Sequence, residues 1–203
     1  MTGNMTEEPA PARLYLIVPT GIDADYLAAA LDAGDVACAL LRGVDWVHGE
    51  LVATAQRRDV AALVPDDAKL AVRLDADGVH VAPGGSVTAT RRTLGKDRIV
   101  GAACGNSRHE AMLAGEAGAD YVAFSGRGDD AAAAADPEIL QWWQVMMTVP
   151  CVAMGDIGLA EVGDLARAGA DFVALERAVW AHPDGPAAAV ADANRQLAEV
   201  NAS

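Results

Sequence analysis

The chain has 203 residues, enough for one domain that buries about 70% of the surface its unfolded form exposes. Hydrophobic residues make up 52% and charged residues 22%, which excludes wholesale disorder. The formal net charge of −14 disfavours binding to nucleic acid or to an anionic membrane surface. The alanine run Ala131–Ala135 is far shorter than the roughly 20 apolar residues that a membrane-spanning helix needs.

The amino-terminal residues lack the basic and apolar regions of a secretory signal, so we predict a disordered leader over residues 1–12 and a domain over 13–203. Three cysteines, Cys38, Cys104 and Cys151, lie far apart in the sequence. An odd number of cysteines without an export signal predicts reduced thiols and a cytoplasmic location. Because all three fall in apolar runs, we expect buried rather than reactive side chains.

Eight short apolar runs recur in chain order with helical patterns between them: Leu14–Val18, Val36–Leu41, Val60–Val64, Gly78–Val81, Ile99–Cys104, Tyr121–Phe124, Cys151–Met154 and Phe172–Leu175. Short strands that alternate with helices indicate βαβ units and a parallel sheet. Their uninterrupted apolar character indicates burial on both faces. At about 25 residues per unit, the α/β pattern predicts a closed (β/α)8 TIM barrel in a single domain.

A weak internal repeat supports the barrel. Residues 117–123 (AGADYVA) nearly recur at 168–174 (AGADFVA), and Asp35 and Asp77 hold the equivalent place in two looser copies. The aspartates at positions 35, 77, 120 and 171 are 42, 43 and 51 residues apart. Two βα units take about 50 residues, so the copies are interpreted as alternate units of one array. We interpret each copy as a helix end with glycine in the left-handed conformation, followed by a two-residue link into the next strand.

Five sequence segments resemble those of a known family: Asp77–Val81, Ile99–Gly101, Gly118–Val122, Val149–Ile157 and Gly169–Ala174. In order and spacing they resemble the thiamine-phosphate synthase and thiazole tautomerase family, and the resemblance extends from Leu14 to about Leu197. It implies a (β/α)8 barrel in thiamine biosynthesis that acts on a phosphorylated thiazole. The synthases of this family are transferases that join the thiazole to a pyrimidine diphosphate with Mg²⁺.

The positions that would grip the diphosphate and the metal depart from the family pattern. A Gln-x-Arg-x-Lys signature after strand 2 is replaced here by residues 39–43 (ALLRG), so only Arg42 remains, and only with a one-residue shift. The family's Asn-Asp after strand 3 reads Pro65-Asp66, and its second magnesium acid is missing from residues 82–85 (APGG). The resemblance makes Arg42 and Asp66 catalytic candidates and Asp66 the candidate Mg²⁺ ligand. His80 is a third catalytic candidate because of its position at the end of strand 4, whereas the resemblance implies a structural histidine there. We expect thiamine-phosphate formation to be absent or very weak.

The expected phosphate-binding loops also differ. A Gly-Pro loop rich in Thr and Lys is replaced by residues 125–130 (SGRGDD), a Gly-Gly turn by Gly155-Asp156, and small residues after strand 8 by Glu176-Arg177. We expect the ligand to contact Gly126, Arg127, Gly155, Asp156 and Glu176. A carboxylate about 4 Å from a phosphate charge costs around 4 kcal/mol per charge pair at an effective dielectric near 20, so the two acids would oppose a phosphate.

Each candidate also has a structural interpretation. Asp66 or its neighbour Asp67 could cap a helix instead of binding a metal. Asp156 could cap a helix that begins near Leu159. Glu176 could pair with Arg177 or Arg127, His80 could belong to the core, and residues 125–130 could be a flexible connection.

Three functions therefore stay open: a synthase-like barrel that binds a phosphorylated thiazole or similar heterocycle, a catalytically silent binding or partner protein, and a divalent-metal-dependent enzyme that uses Asp66, Asp156 and Glu176. The expected partner is a small-molecule phosphate ester, with neither nucleic acid nor membrane. The cofactor considered is Mg²⁺ and the assembly considered is a homodimer.

Overall fold

A computed structural model describes residues 10–42, 48–126 and 133–202. Its strands are β1 Arg13–Val18, β2 Val36–Leu41, β3 Ala61–Pro65, β4 Gly78–Val81, β5 Ile99–Ala103, β6 Tyr121–Phe124, β7 Cys151–Ala153 and β8 Phe172–Leu175. They pair in parallel in chain order, and β8 closes on β1. Each predicted apolar run coincides with one strand to within one residue at either end, which confirms the single-domain TIM barrel.

Helices surround the sheet: α1 Ala24–Leu31, α2 His48–Gln56, α3 Ala68–Leu74, α4 Val87–Leu94, α5 Arg108–Glu116, α6 Pro137–Met146, α7 Val162–Arg167, α8 Arg177–Trp180 and α9 Pro186–Asn201. A 3₁₀ turn, Leu159–Glu161, precedes α7. Side chains of Asp or Ser accept a backbone N–H at the starts of α1, α3, α4, α5 and α6. These caps satisfy donors that have no partner inside the helix. Within the described ranges, no helix is long and apolar enough to cross a membrane.

The strands are buried on both faces, as predicted. Alternate side chains pack outward against the helices, where Phe124 meets Trp143 edge to face at 5.4 Å between ring centroids. The other side chains fill the barrel interior: Tyr15, Ile17, Cys38, Leu40, Leu63, Tyr121, Ala123, Val152, Met154 and Ala174. Alternation of this kind is what closes a barrel around a packed centre rather than a pore.

The cysteines are free and buried, as predicted. Burial raises the pKa of Cys104 and of Cys151 to about 12, and it raises the pKa of Cys38 as well. At neutral pH all three are therefore protonated thiols with little nucleophilic character.

The repeated aspartates lie at the amino-terminal end of the barrel, which we call the floor. Asp77, Asp120 and Asp171 directly precede β4, β6 and β8. The carboxylate of each accepts a backbone N–H from the strand that comes before it in the chain. The donors are Ala62, Val100 and Cys151, at 2.8, 2.7 and 2.7 Å. The main-chain N–H of each aspartate returns a bond to the carbonyl of that same residue. The repeat thus has a structural role, since each aspartate joins two neighbouring strands by hydrogen bonds.

The predicted glycine conformation holds in the two close copies and not in the looser ones. Gly118 and Gly169 have φ of 89° and 103°. In the copy before β4 the left-handed residue is Asp75, with φ of 53°. Asp35 forms an ion pair with the side chain of Arg13 in place of a bond to a backbone N–H. Of the predicted leader, residues 1–9 lie outside the described residues, while Ala12 is bonded to Asn201 of α9.

Candidate active site at the carboxyl ends of the strands

The carboxyl ends of the strands form one rim, where the active sites of (β/α)8 enzymes lie. Asp66, Gly126, Gly155 and Glu176 follow β3, β6, β7 and β8, so they share this rim, as predicted. Beside β7 and β8 the rim opens into a cavity of about 740 Å³. Its lining includes the polar side chains of Arg42, Ser125, Asp156, Glu176 and Arg177, together with the main chain of Gly155. We call this the rim cavity.

Glu176 and Arg42 form the first of two ion pairs in the rim cavity. Nη1 of Arg42 donates to both carboxylate oxygens of Glu176, at 2.8 and 3.0 Å. Arg42 follows β2 and Glu176 follows β8, so the pair spans the end of β1. The predicted partners of Glu176 were Arg177 and Arg127, and this prediction is wrong for Arg177. Arg127 lies outside the described residues.

Asp156 and Arg177 form the second pair. Nε and Nη2 of Arg177 donate to the two carboxylate oxygens of Asp156 at 3.2 and 2.6 Å. Hydrogen bonding to Asp156 raises the pKa of Arg177 above its ordinary value. The predicted role of Asp156 as a helix cap is wrong, because Gly158 begins the 3₁₀ turn and donates its N–H to Glu161.

Gly155 has a structural reason to be glycine. Its φ is 124°, and a Cβ atom there would overlap the carbonyl oxygen of Ala133. The main chain after β7 therefore lies directly against the segment that returns from β6, where the N–H of Gly126 donates to that same carbonyl at 2.7 Å. Such a close approach leaves backbone groups, rather than a side chain, exposed at this turn.

Asp66 and Asp67 have separate roles at the end of β3. Asp67 caps α3 by accepting the N–H of Leu70 at 2.8 Å, which confirms that one of the two acids is a cap. Asp66 has a left-handed φ of 52° and accepts the N–H of Ala82 at 2.6 Å, while its own N–H bonds to the carbonyl of His80. Asp66 thus joins β3 to β4, and it does not line the rim cavity.

His80 is buried inside the barrel, one residue before the end of β4. Its Nδ1 lies 2.8 Å from the hydroxyl of Tyr121, and that hydroxyl lies 3.0 Å from the hydroxyl of Tyr15. The rings of His80 and Tyr121 stack at 5.8 Å between centroids. Space for the Tyr121 ring comes from Gly101, since a Cβ there would overlap the ring.

Burial lowers the pKa of His80 to about 4, against a smaller opposing effect of Asp66. The imidazole is therefore neutral at physiological pH and can bond Tyr121 through either tautomer. This supports the core interpretation of His80, although its place near the rim keeps it a candidate for contact with a ligand. The sequence does not predict the tyrosine chain behind it; its signal is one tyrosine in each of the apolar runs of β1 and β6.

The predicted rim acids do not form a bare carboxylate cluster. Asp156 and Glu176 line one cavity but each is held by an arginine, and Asp66 is bonded elsewhere. Among the described residues, no group of three His, Cys, Asp or Glu side chains could hold a metal ion. The sequence also missed Trp180, which lines the same cavity and donates its indole N–H to the carbonyl of Ile17 at 2.7 Å.

Comparison with known proteins places this arrangement in a family. Residues 14–179 match the family described as thiamine monophosphate synthase. A thiamine-phosphate synthase of Rhodospirillum centenum is 50% identical over 201 residues, with 91% of this chain and 97% of the relative covered. Its counterpart in Hyphomonas neptunium is 43% identical over 207 residues, covering 91% and 94%.

Solved structures agree on the fold. The thiamine phosphate pyrophosphorylase of Pyrococcus furiosus superposes with a TM-score of 0.80 at 23% identity, covering 93% of this chain and 96% of that one. The (S)-3-O-geranylgeranylglyceryl phosphate synthase of Thermoplasma acidophilum does so with a TM-score of 0.71 at 14% identity, covering 93% and 94%. Because the family match extends over residues 14–179 and the relatives are matched over nearly their whole length, this chain belongs to the thiamine monophosphate synthase family.

Proposed function

We propose that the rim cavity binds a phosphorylated thiazole or a similar heterocycle as its phosphate ester. The observation that carries the proposal is that two guanidinium groups, those of Arg42 and Arg177, face one cavity beside the glycine turn after β7. Arginine binds phosphate through paired N–H groups in a fixed plane. The relatives' activity in thiamine-phosphate synthesis supports the class of ligand.

The carboxylates that now hold these arginines can be displaced. Side chains of the Arg177–Asp156 pair are 75% and 48% exposed, and those of the Arg42–Glu176 pair are 48% and 29% exposed. Exposed ion pairs of this kind contribute little net free energy. An incoming phosphate can therefore exchange with a carboxylate, but it must also overcome the repulsion from the carboxylate left behind.

We further propose that the joining of the thiazole to a pyrimidine diphosphate is slow in this chain. Departure of diphosphate needs positive charge directed at its oxygens, and such electrostatic stabilisation is commonly the largest contribution to catalysis. The Gln and Lys of the family signature are absent from residues 39–43, and the remaining Arg42 is held by Glu176. Residues 126 and 155 supply backbone groups but no charge.

Mg²⁺ fits this rim only in part. Of the described residues, Asp66 supplies the carboxylate at the position that resembles the family's metal ligand, and one of its oxygens already accepts the N–H of Ala82. Mg²⁺ in such sites relies on one or two carboxylates together with substrate phosphates. We propose that Asp66 helps to hold Mg²⁺ when the diphosphate is present, and that the ion when bound would supply charge neutralisation.

Two other functions are less favoured. A metal enzyme built on Asp66, Asp156 and Glu176 would need these acids released from Ala82, Arg177 and Arg42. A silent partner protein would leave the rim cavity without a role. A cytoplasmic location and a homodimer remain part of the proposal, the first because the substrates of thiamine biosynthesis are small intracellular phosphate esters.

The test combines binding with turnover. Calorimetry should detect binding of thiazole phosphate, and the unphosphorylated thiazole should bind at least about tenfold more weakly because it lacks the charge that arginines recognise. Chromatography after addition of the pyrimidine diphosphate and Mg²⁺ should show product forming far below about 1 per second, an ordinary enzymatic rate. Equal binding of the two thiazoles would contradict the proposed site, and turnover at the ordinary rate would contradict the slow reaction.

A further inference from the structure

We propose that the floor of the barrel carries a second binding site, for a small neutral aromatic molecule. A pocket of about 190 Å³ opens there, at the end of the sheet opposite the rim cavity. Its inner wall comprises Tyr15, Cys38, Leu63 and Tyr121, and Phe172 and Ile99 stand at its mouth. This proposal is independent of the function assigned to the rim. We call this opening the floor pocket.

The size of the floor pocket indicates one six-membered ring. Protein interiors contain few voids larger than a water molecule, and layers of side chains normally fill a barrel of this kind. Here the alanines Ala37 and Ala61 leave the outermost layer short of side-chain volume. An apolar cavity of about 150 Å³ in another protein stays dry and binds benzene, so about 190 Å³ accommodates benzene or phenol.

The chemistry of the walls selects a neutral ligand. The hydroxyls of Tyr15 and Tyr121 bond to each other at 3.0 Å, so the inner wall presents ring carbons, aliphatic groups and the uncharged thiol of Cys38. At the mouth, the guanidinium of Arg13 is held by both oxygens of Asp35 at 2.6 and 2.7 Å. A charged ligand would lose its hydration there without an equivalent partner, whereas an aromatic ring gains edge-to-face contacts with the tyrosines.

The tyrosines also connect the floor pocket with the rim half of the barrel. Tyr121 forms part of the pocket wall and its hydroxyl lies 2.8 Å from Nδ1 of His80. A ring that packs against Tyr121 should therefore change the magnetic environment of the His80 imidazole. Occupancy of the floor can be read at His80, which lies outside the pocket wall.

Phenol is a suitable probe, since its seven heavy atoms can support a Kd on the order of 1 mM. Titration into the full chain, followed by NMR, should shift the resonances of Leu63, Val152 and the His80 ring with one shared Kd. Ala61→Leu should fill the mouth of the pocket and weaken binding at least about tenfold. Ala29→Leu, on the exposed face of α1, is the matched control and should bind phenol as the parent does.

Ala37→Leu provides a second filling variant in case Ala61→Leu unfolds, which circular dichroism would reveal. The proposal is overturned if phenol shifts none of these resonances up to its solubility limit. It is equally overturned if both folded filling variants bind phenol with the parent's Kd.

Discussion

The two ends of the barrel use the same residue types in different ways. At the floor, Asp77, Asp120 and Asp171 accept backbone N–H groups from the strand that precedes them, at 2.7–2.8 Å. At the rim, Asp156 and Glu176 hold the side chains of exposed arginines. Backbone donors cannot leave the sheet, but arginine side chains can swing toward another anion.

This difference separates stability from ligand recognition. A carboxylate bonded to a partly buried N–H is costly to remove, because the donor is left without a partner. Removing a carboxylate that is bonded to an exposed arginine changes the free energy of unfolding little, because water replaces the carboxylate. The floor and interior should therefore respond to substitution through unfolding, and the rim through binding.

The largest expected effect comes from the interior. Gly101→Ala would drive a Cβ into the ring of Tyr121 and separate it from His80, so we expect destabilisation of about 3 kcal/mol. Urea denaturation measures the change. Gly115→Ala is the control, since a Cβ there meets only Val149 at 3.7 Å and helix propensity should make it neutral or stabilising. Equal stability of the two variants would contradict the packing assigned to Gly101.

A pH dependence should follow from His80. Its pKa is about 4 in the folded chain and about 6.5 in an unfolded one, so between these values only the unfolded chain holds the proton. Stability should therefore fall by up to about 3 kcal/mol as the pH drops from about 6.5 to 4. His80→Gln should remove this slope from a urea-denaturation series, while the exposed His109→Gln should keep it. An imidazole of His80 that titrates near pH 6.5 in NMR spectra would contradict the burial effect.

Matched aspartate substitutions compare the two ends directly. Asp171→Ala removes the acceptor of the Cys151 N–H and should cost about 2 kcal/mol of unfolding free energy. Asp156→Ala removes only an exposed ion pair and should leave the denaturation midpoint unchanged. If the rim variant loses as much stability as the floor variant, the two ends do not differ as described.

The barrel could be predicted because its apolar runs are short and regularly spaced, and because eight βα units with a family resemblance along the chain favour a closed barrel over an open sheet. The sequence identifies the repeated aspartates but not their role. The hydrogen bond from each carboxylate to the previous strand depends on the register between strands, which the sequence does not give. At the rim, the sequence identified Asp156 and Glu176 but not their partners. Arg42 reaches Glu176 and Arg177 reaches Asp156 because of the strand order and the length of the arginine side chains. Neither can be derived from the residues next to each acid in the sequence.

The central claim is that displaceable carboxylates hold the rim arginines in place of a phosphate. Calorimetric titration with thiazole phosphate should compare the parent with the double variant Asp156→Gly, Glu176→Ser. A control double variant, Glu138→Ser with Asp164→Ser, removes the same charge from exposed positions of α6 and α7. The rim variant should gain at least about tenfold in affinity, since the two carboxylates that bond the arginines and repel a phosphate are removed, and the control should match the parent. Unchanged affinity in the rim variant, or an equal gain in the control, would contradict the claim.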